Sequence, residues 1–225
     1  MPSQRSIRGN ALFLILIGVV MFAALAFAVS RHWRGSGNVV SVEQARLQAD
    51  EMIEYGNGLR VLIDRMLTLG GAEDTNIWFA ATGADAAYGA VGAHASAEVF
   101  NAAGGAATYQ VTPAHACLSD CAYEFSGQYT LTGIGTDSPE LVMLVIDVNP
   151  AVCQKINDLL EMGWSTIPTG GALTALARFN GSTYGGAAAI TLTGGANEFV
   201  GKNAFCYAES GGAGRNIYLQ VLRAR

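Results

Sequence analysis

The sequence predicts an α+β protein: an N-terminal hydrophobic helix followed by a globular domain with an antiparallel sheet. Three observations predict it. Residues 10–29 hold no charged side chain. Residues 41–71 place apolar side chains at helical spacing. From Tyr123 onward the pattern turns strand-like, with one helical stretch inserted. Composition narrows the function classes. Charged residues are 14% of the chain and the formal net charge is −5. An acidic, weakly charged chain without a basic run offers no groove for nucleic acid.

The first element is the apolar run. ALFLILIGVVMFAALAFAV, one Gly and no Pro, is about 19 residues and would reach roughly 28 Å as a helix, close to a bilayer's hydrocarbon thickness. In lipid it must be helical, because every backbone amide needs an internal partner. The leader before it, MPSQRSIRG, carries Arg5 and Arg8 and no acid. Basic residues ahead of a first span hold it to the cytoplasmic side, which places the rest of the chain outside. Arg31 and Arg34 beyond the run weaken that orientation. Three readings fit: a secretory signal cut at Ala26-Phe27-Ala28, an uncleaved anchor, or a leader cut after Gly9 that leaves the apolar helix in the mature chain.

RSIRGNALFLILIGVVMFAALAFAV resembles the prepilin signal of type IV pilins and type II secretion pseudopilins. The resemblance implies cleavage between Gly9 and Asn10 by a prepilin peptidase, with methylation of the new terminus. It implies a filament-subunit role in a type IV pilus or a type II secretion filament, with other pilin or pseudopilin subunits and the lipid bilayer as partners. The domain would stand in the periplasm, anchored in the inner membrane, and later on the pilus or cell surface. Two features depart from the family. Leu14 stands at the fifth mature position, where these families usually carry Glu, and Asn10 stands where Phe is usual. The resemblance therefore implies a minor or tip-like subunit. The expected organisation is a leader at 1–9, the membrane or filament-core helix at 10–30, a Gly- and Ser-rich linker at 31–40 and an α+β domain at 41–225. The linker is a further departure, implying a broken join. The alternative is a single-pass anchored periplasmic or surface binding domain.

The second element is a helix from Ser41, an N-cap with Gln44 three residues on. Ala45, Ala49, Met52, Leu59, Ile63 and Met66 form its apolar face, Gly56 and Gly58 are places where it can bend, and Gly70-Gly71 ends it. As a pilin-type stalk, its exposed part would pack against neighbouring subunits. Asn76–Ala80 is a short strand candidate. Residues 82–105 are mostly Ala, Gly and small polar residues, and read as a long surface loop with a short helix near His94–Phe100. YEFSGQYTLTGI reads as a strand with a bulge at Gly127. LVMLVIDV (141–148) reads as a strand buried on both faces. Ser138-Pro139 separates the two as in a hairpin. Asn149-Pro150 starts a second helix by the N-cap and Pro-at-N1 rule, stopped by Gly163, with Val152, Ile156, Leu159 and Leu160 as its apolar face. Strands follow at 188–193, in NEFVGKNAFCYA and at 216–222.

The four cysteines suggest disulfides in an exported domain. Three pairings are possible. Proximity makes Cys117–Cys121 the local pair, leaving Cys153–Cys206 to close a loop of about 50 residues. The second pair also resembles the C-terminal disulfide region of type IVb pilins. No cofactor and no metal set is indicated: His32, His94 and His115 do not complete a zinc pattern with the cysteines, and His94 reads as a solvated loop residue. GxSxG, HExxH, P-loop and Rossmann patterns are absent, and GGAGRN (211–216) reads as a turn. Glu73-Asp74 reads as a solvated pair, Asp147 as a local hydrogen-bonding group at a strand end, and Asp120 lacks the ordered oxygen ligands of a Ca²⁺ loop. Three scattered histidines leave few acid–base candidates. The sequence therefore points away from an enzyme.

Overall fold

The first helix of the folded domain, α1 (Val42–Thr68), starts where expected, with the Ser41 hydroxyl accepting from the Gln44 N–H at 3.2 Å. All six residues assigned to its apolar face are buried, joined by Gln48, Tyr55 and Gly56. Neither glycine breaks it. The computed structural model describes residue 13 and residues 15–23, 41–173, 176–182, 184–185, 190–192, 198–211 and 214–225.

Two units are distinguished, Met1–Val39 and Val40–Arg225. In the first, residues 13 and 15–23 are helical and their apolar side chains, Phe13, Ile15, Val19 and Phe22 among them, are exposed. Among the described residues no helix is long and apolar enough to cross a membrane. Much of the expected span at 10–30 lies outside the described residues, as do the leader at 1–9 and the linker at 31–40.

In the second unit a six-stranded sheet has the order β3-β5-β6-β2-β1-β4. The strands are β1 (Tyr123–Leu131), β2 (Glu140–Ile146), β3 (Thr169–Gly170), β4 (Ile190–Leu192), β5 (Ala204–Glu209) and β6 (Asn216–Arg223). The central pairings β1–β2, β2–β6 and β5–β6 are antiparallel. The two short outer strands, β3 and β4, pair in parallel, so the sheet is mixed and antiparallel-dominated. The β1–β2 register slips between Ser126 and Tyr129, around Gly127, as a bulge there requires.

The unbroken apolar run of β2 follows from cover on both sides. Leu141, Met143 and Val145 face a core made with α1 and α2 (Pro150–Leu159). Val142 and Leu144 face a second core closed by Leu173, Phe199, Trp164 and Leu176. The strand stops at Ile146, two residues short of expectation. Asp147 there adopts φ +68, and its carbonyl accepts from the Leu118 N–H at 2.9 Å instead of continuing the ladder. Asn149 caps α2 by accepting from the Ala151 N–H at 3.0 Å, with Pro150 at the first turn.

Three expectations need correction. Residues 76–80 form no strand: Trp78 alone makes isolated bridges, to Glu98 and Asn180. No helix forms at His94–Phe100, where turns run instead; the helical turn of this region is a 3-10 segment, Ala86–Tyr88. The segment is also more than a surface loop, because Tyr88, Ala97, Glu98 and Val99 are buried. One large residue at a time is enough to join a core that the sheet and α1 have already built.

Both disulfides are present. Cys117–Cys121 closes the loop before β1, and Cys153–Cys206 ties α2 to β5. Beside the second, Asn157 donates to the Cys206 carbonyl and accepts from the Cys206 N–H, both at 2.8 Å.

Candidate functional site

A concavity of about 550 Å³ lies along α1. Its floor is Tyr55, Leu59 and Leu62, its α1 wall is Glu51, Glu54 and Gly58, and its far wall is Ala107, Thr108 and Gln110. Helical periodicity explains the assembly: positions three, four and seven apart share a face. Tyr55 holds the far wall in place. Its hydroxyl accepts from the Gln110 N–H at 3.3 Å and lies 3.5 Å from the Thr108 carbonyl. Burial pushes the phenol up to about 12, against the Gln110 N–H, which lowers it. The groove therefore presents a neutral aromatic floor beneath two carboxylates.

A second concavity of about 280 Å³ continues along the helix, lined on the α1 side by Arg65, Met66 and Leu69 and opposite by Ser96 and Ala103. Neither contains a nucleophile beside a base. Such a trough can bind an elongated surface.

The buried carboxylates are used in scaffolding. Glu98, fully buried, accepts from the Gly92 and His94 N–H groups and from Asn101 Nδ2, each at 3.0 Å. Burial drives its pKa up, but those donors and the nearby His94 outweigh it and hold the carboxyl below its ordinary range. Glu124 accepts from Tyr88 at 2.6 Å and pairs with Arg178 at 2.9 Å, while Arg178 also reaches Asp85 at 3.0 Å. Glu209 pairs with Arg215 at 3.0 Å and accepts from the Leu173 N–H at 2.7 Å.

Of the residues singled out from sequence, Gly9, Asn10 and Leu14 lie outside the described residues, as does His32. The four cysteines are paired as expected. His94 is exposed in the loop, as expected, and its ring also stacks on Trp78 with centroids 3.8 Å apart. Asp147 accepts from Ser119 at 2.6 Å. No group of three or more His, Cys, Asp or Glu that could hold a metal ion is found among the described residues. The exposed face of α1 was expected to pack on neighbouring subunits, but no residue of it was named for that contact. Leu47, Gly58 and Val61 fall off the buried face, and a helical wheel alone would have marked them. Asn157 and Arg178 carried no local signal, since their partners lie 49 and 54 residues away in the chain. Comparisons with protein families, with characterised proteins and with solved structures find no match.

Proposed function

We propose that the chain is a pilin-like or pseudopilin subunit of a type IV pilus or type II secretion-type filament, in a minor or tip-like position. One observation carries the reading: a basic leader ending in Gly9 runs directly into an uncharged apolar segment, whose described part is helical with its apolar side chains uncovered. Such a surface is stable in water only if lipid or other helices cover it. The domain behind it adds weaker support, with a long helix on an antiparallel-dominated sheet and two disulfides suited to an oxidising compartment. On this reading the inner membrane holds the apolar helix, the periplasm holds the domain, and the chain acts by assembly.

The test is the mass of the intact protein purified from membranes. The expected mature chain begins at Asn10, and Gly9→Trp leaves the leader attached. A mature chain starting at Val29 would make the segment a secretory signal and end the filament reading. An uncleaved chain would favour the second reading, an anchored binding domain, for which the groove along α1 is the specific support.

A further inference from the structure

Gly56 and Gly58 stand two apart in α1 and have opposite explanations. A side chain at Gly56 would overlap Gln220 Oε1 and come within 2.8 Å of Met143 Cε, so the fold itself requires that glycine. A Cβ at Gly58 would meet nothing within 4 Å. A glycine inside a helix is less stable than Ala there, and among the described residues nothing accounts for it. Close approach of another backbone does.

The surroundings of Gly58 indicate whose backbone. Leu47, Glu51, Glu54, Gly58, Arg65 and Leu69 recur at three, four or seven residues and form one stripe. Leu47 and Leu69 are 70% and 82% exposed, as is Val61 on the stripe's flank at 70%. Glu51, Glu54 and Arg65 enter none of the ion pairs found among the described residues, and Arg65 makes one long hydrogen bond, donating to the Gly105 carbonyl at 3.4 Å. The stripe is self-complementary when reversed about Gly58. Glu51 and Arg65 lie at equal distances on either side, as do Leu47 and Leu69, while Glu54 falls opposite Leu62 and adds no complementary pair. The two concavities follow the same stretch, 51–69, roughly 27 Å of helix.

We propose that α1 pairs antiparallel with α1 of a second copy, about a two-fold axis at Gly58, with Glu51 facing Arg65 and Leu47 facing Leu69. The interface is isologous, so each contact is made twice. It uses α1 and the loops beside it, and does not rest on the filament reading.

The test uses the full chain in detergent micelles, by sedimentation and by crosslinking. Differently tagged Glu51→Cys and Arg65→Cys chains are mixed with a short bismaleimide. The expected product joins the 51 position of one chain to the 65 position of the other. Products joining 51 to 51 would mean parallel pairing and would overturn the proposal, as would a wild-type chain that stays monomeric at every concentration. Glu51→Arg or Arg65→Glu alone should weaken the dimer about tenfold, because a repulsion replaces an attraction at two places. The double reversal should restore it; a double variant as weak as either single one would also overturn the proposal. Gly58→Leu should abolish the dimer while melting no lower than wild type, and a dimer of undiminished strength in that variant would refute close approach at Gly58.

Discussion

Glu140 shows how a single buried group ties this domain's stability to pH. It is fully buried, and one carboxyl oxygen accepts from the Leu131 N–H at 3.0 Å. Burial raises its pKa to about 7, against the lowering effect of the Leu131 N–H. The folded value lies above the unfolded one, so the protonated form favours folding. That stability is fully present below the ordinary carboxylate range and is lost as pH rises through about 7. Glu140→Gln keeps an acceptor and cannot ionise. It should be more stable than wild type by on the order of 2 kcal/mol at pH 8 and near wild type at pH 4. Urea titrations of both proteins at the two pH values check this, and an equal difference at both would show that Glu140 is not the titrating group. The α1 glycines give a second residue-scale prediction. Gln220 cannot yield to a side chain at Gly56, because it is buried and hydrogen-bonded to Asn57 and Tyr218. Gly56→Ala should therefore cost about 1–3 kcal/mol, against a gain of about 0.5–1 kcal/mol for Gly58→Ala in the monomer. Denaturant midpoints below the dimerisation range measure both, and matching signs would contradict the packing described.

Between elements, the two disulfides differ in what they hold. Cys117–Cys121 closes a loop with a sequence separation of 4, whereas Cys153–Cys206 spans 53 residues and joins α2 to β5. In the chain-entropy account these are worth about 2 and about 4 kcal/mol. Replacing Cys153 and Cys206 by Ala should cost more than replacing Cys117 and Cys121, also because Asn157 makes its paired hydrogen bonds beside the former. Thermal melting of the two double variants decides it, and the reverse order would mean the short loop carries native structure not expected from its length. The same elements show what the sequence discloses. Both helices announced themselves through periodicity and caps, because N-caps are local chemistry: Ser41 and Asn149 bond within three residues. β1, β2, β5 and β6 were legible because alternation and apolar runs are local too. The 76–105 region was not, because its order comes from distant partners: Phe79 stacks on Phe125 at 4.0 Å, and Tyr88 donates to Glu124. Of the outer strands, β4 falls within the stretch expected at 188–193, but β3 was hidden for the same reason, since Thr169 and Gly170 become a strand only by lying against Ala208 and Glu209. At the candidate site, Gly58 was visible as a residue, but its meaning required knowing that nothing among the described residues approaches it.

For the whole molecule, the question is what covers the N-terminal apolar surface. Val19 is 64% exposed on the described helical stretch, and Phe22 is 76% exposed. A helix of this kind in lipid associates through van der Waals packing at small residues, and the run offers Gly18, Ala23, Ala24, Ala26 and Ala28. If the chain is such a subunit, as proposed, Leu14 stands where those families carry an acid that pairs with a neighbour's N-terminus, and that pairing is absent. A filament of this chain alone would then lack one electrostatic device for setting register, whereas a mixed filament could obtain it from other subunits. Val19→Cys, crosslinked in native membranes, should therefore yield adducts chiefly with different chains. Long ladders of this chain alone would show a homopolymer and defeat the minor-subunit reading. A chain that crosslinks to nothing would favour an anchored binding domain, because lipid alone would then be covering the helix. The α1 interface can be scored in the same membranes with the 51–65 crosslink, and the two readouts are independent: one reports neighbours at Val19, the other reports the direction of α1 in a pair.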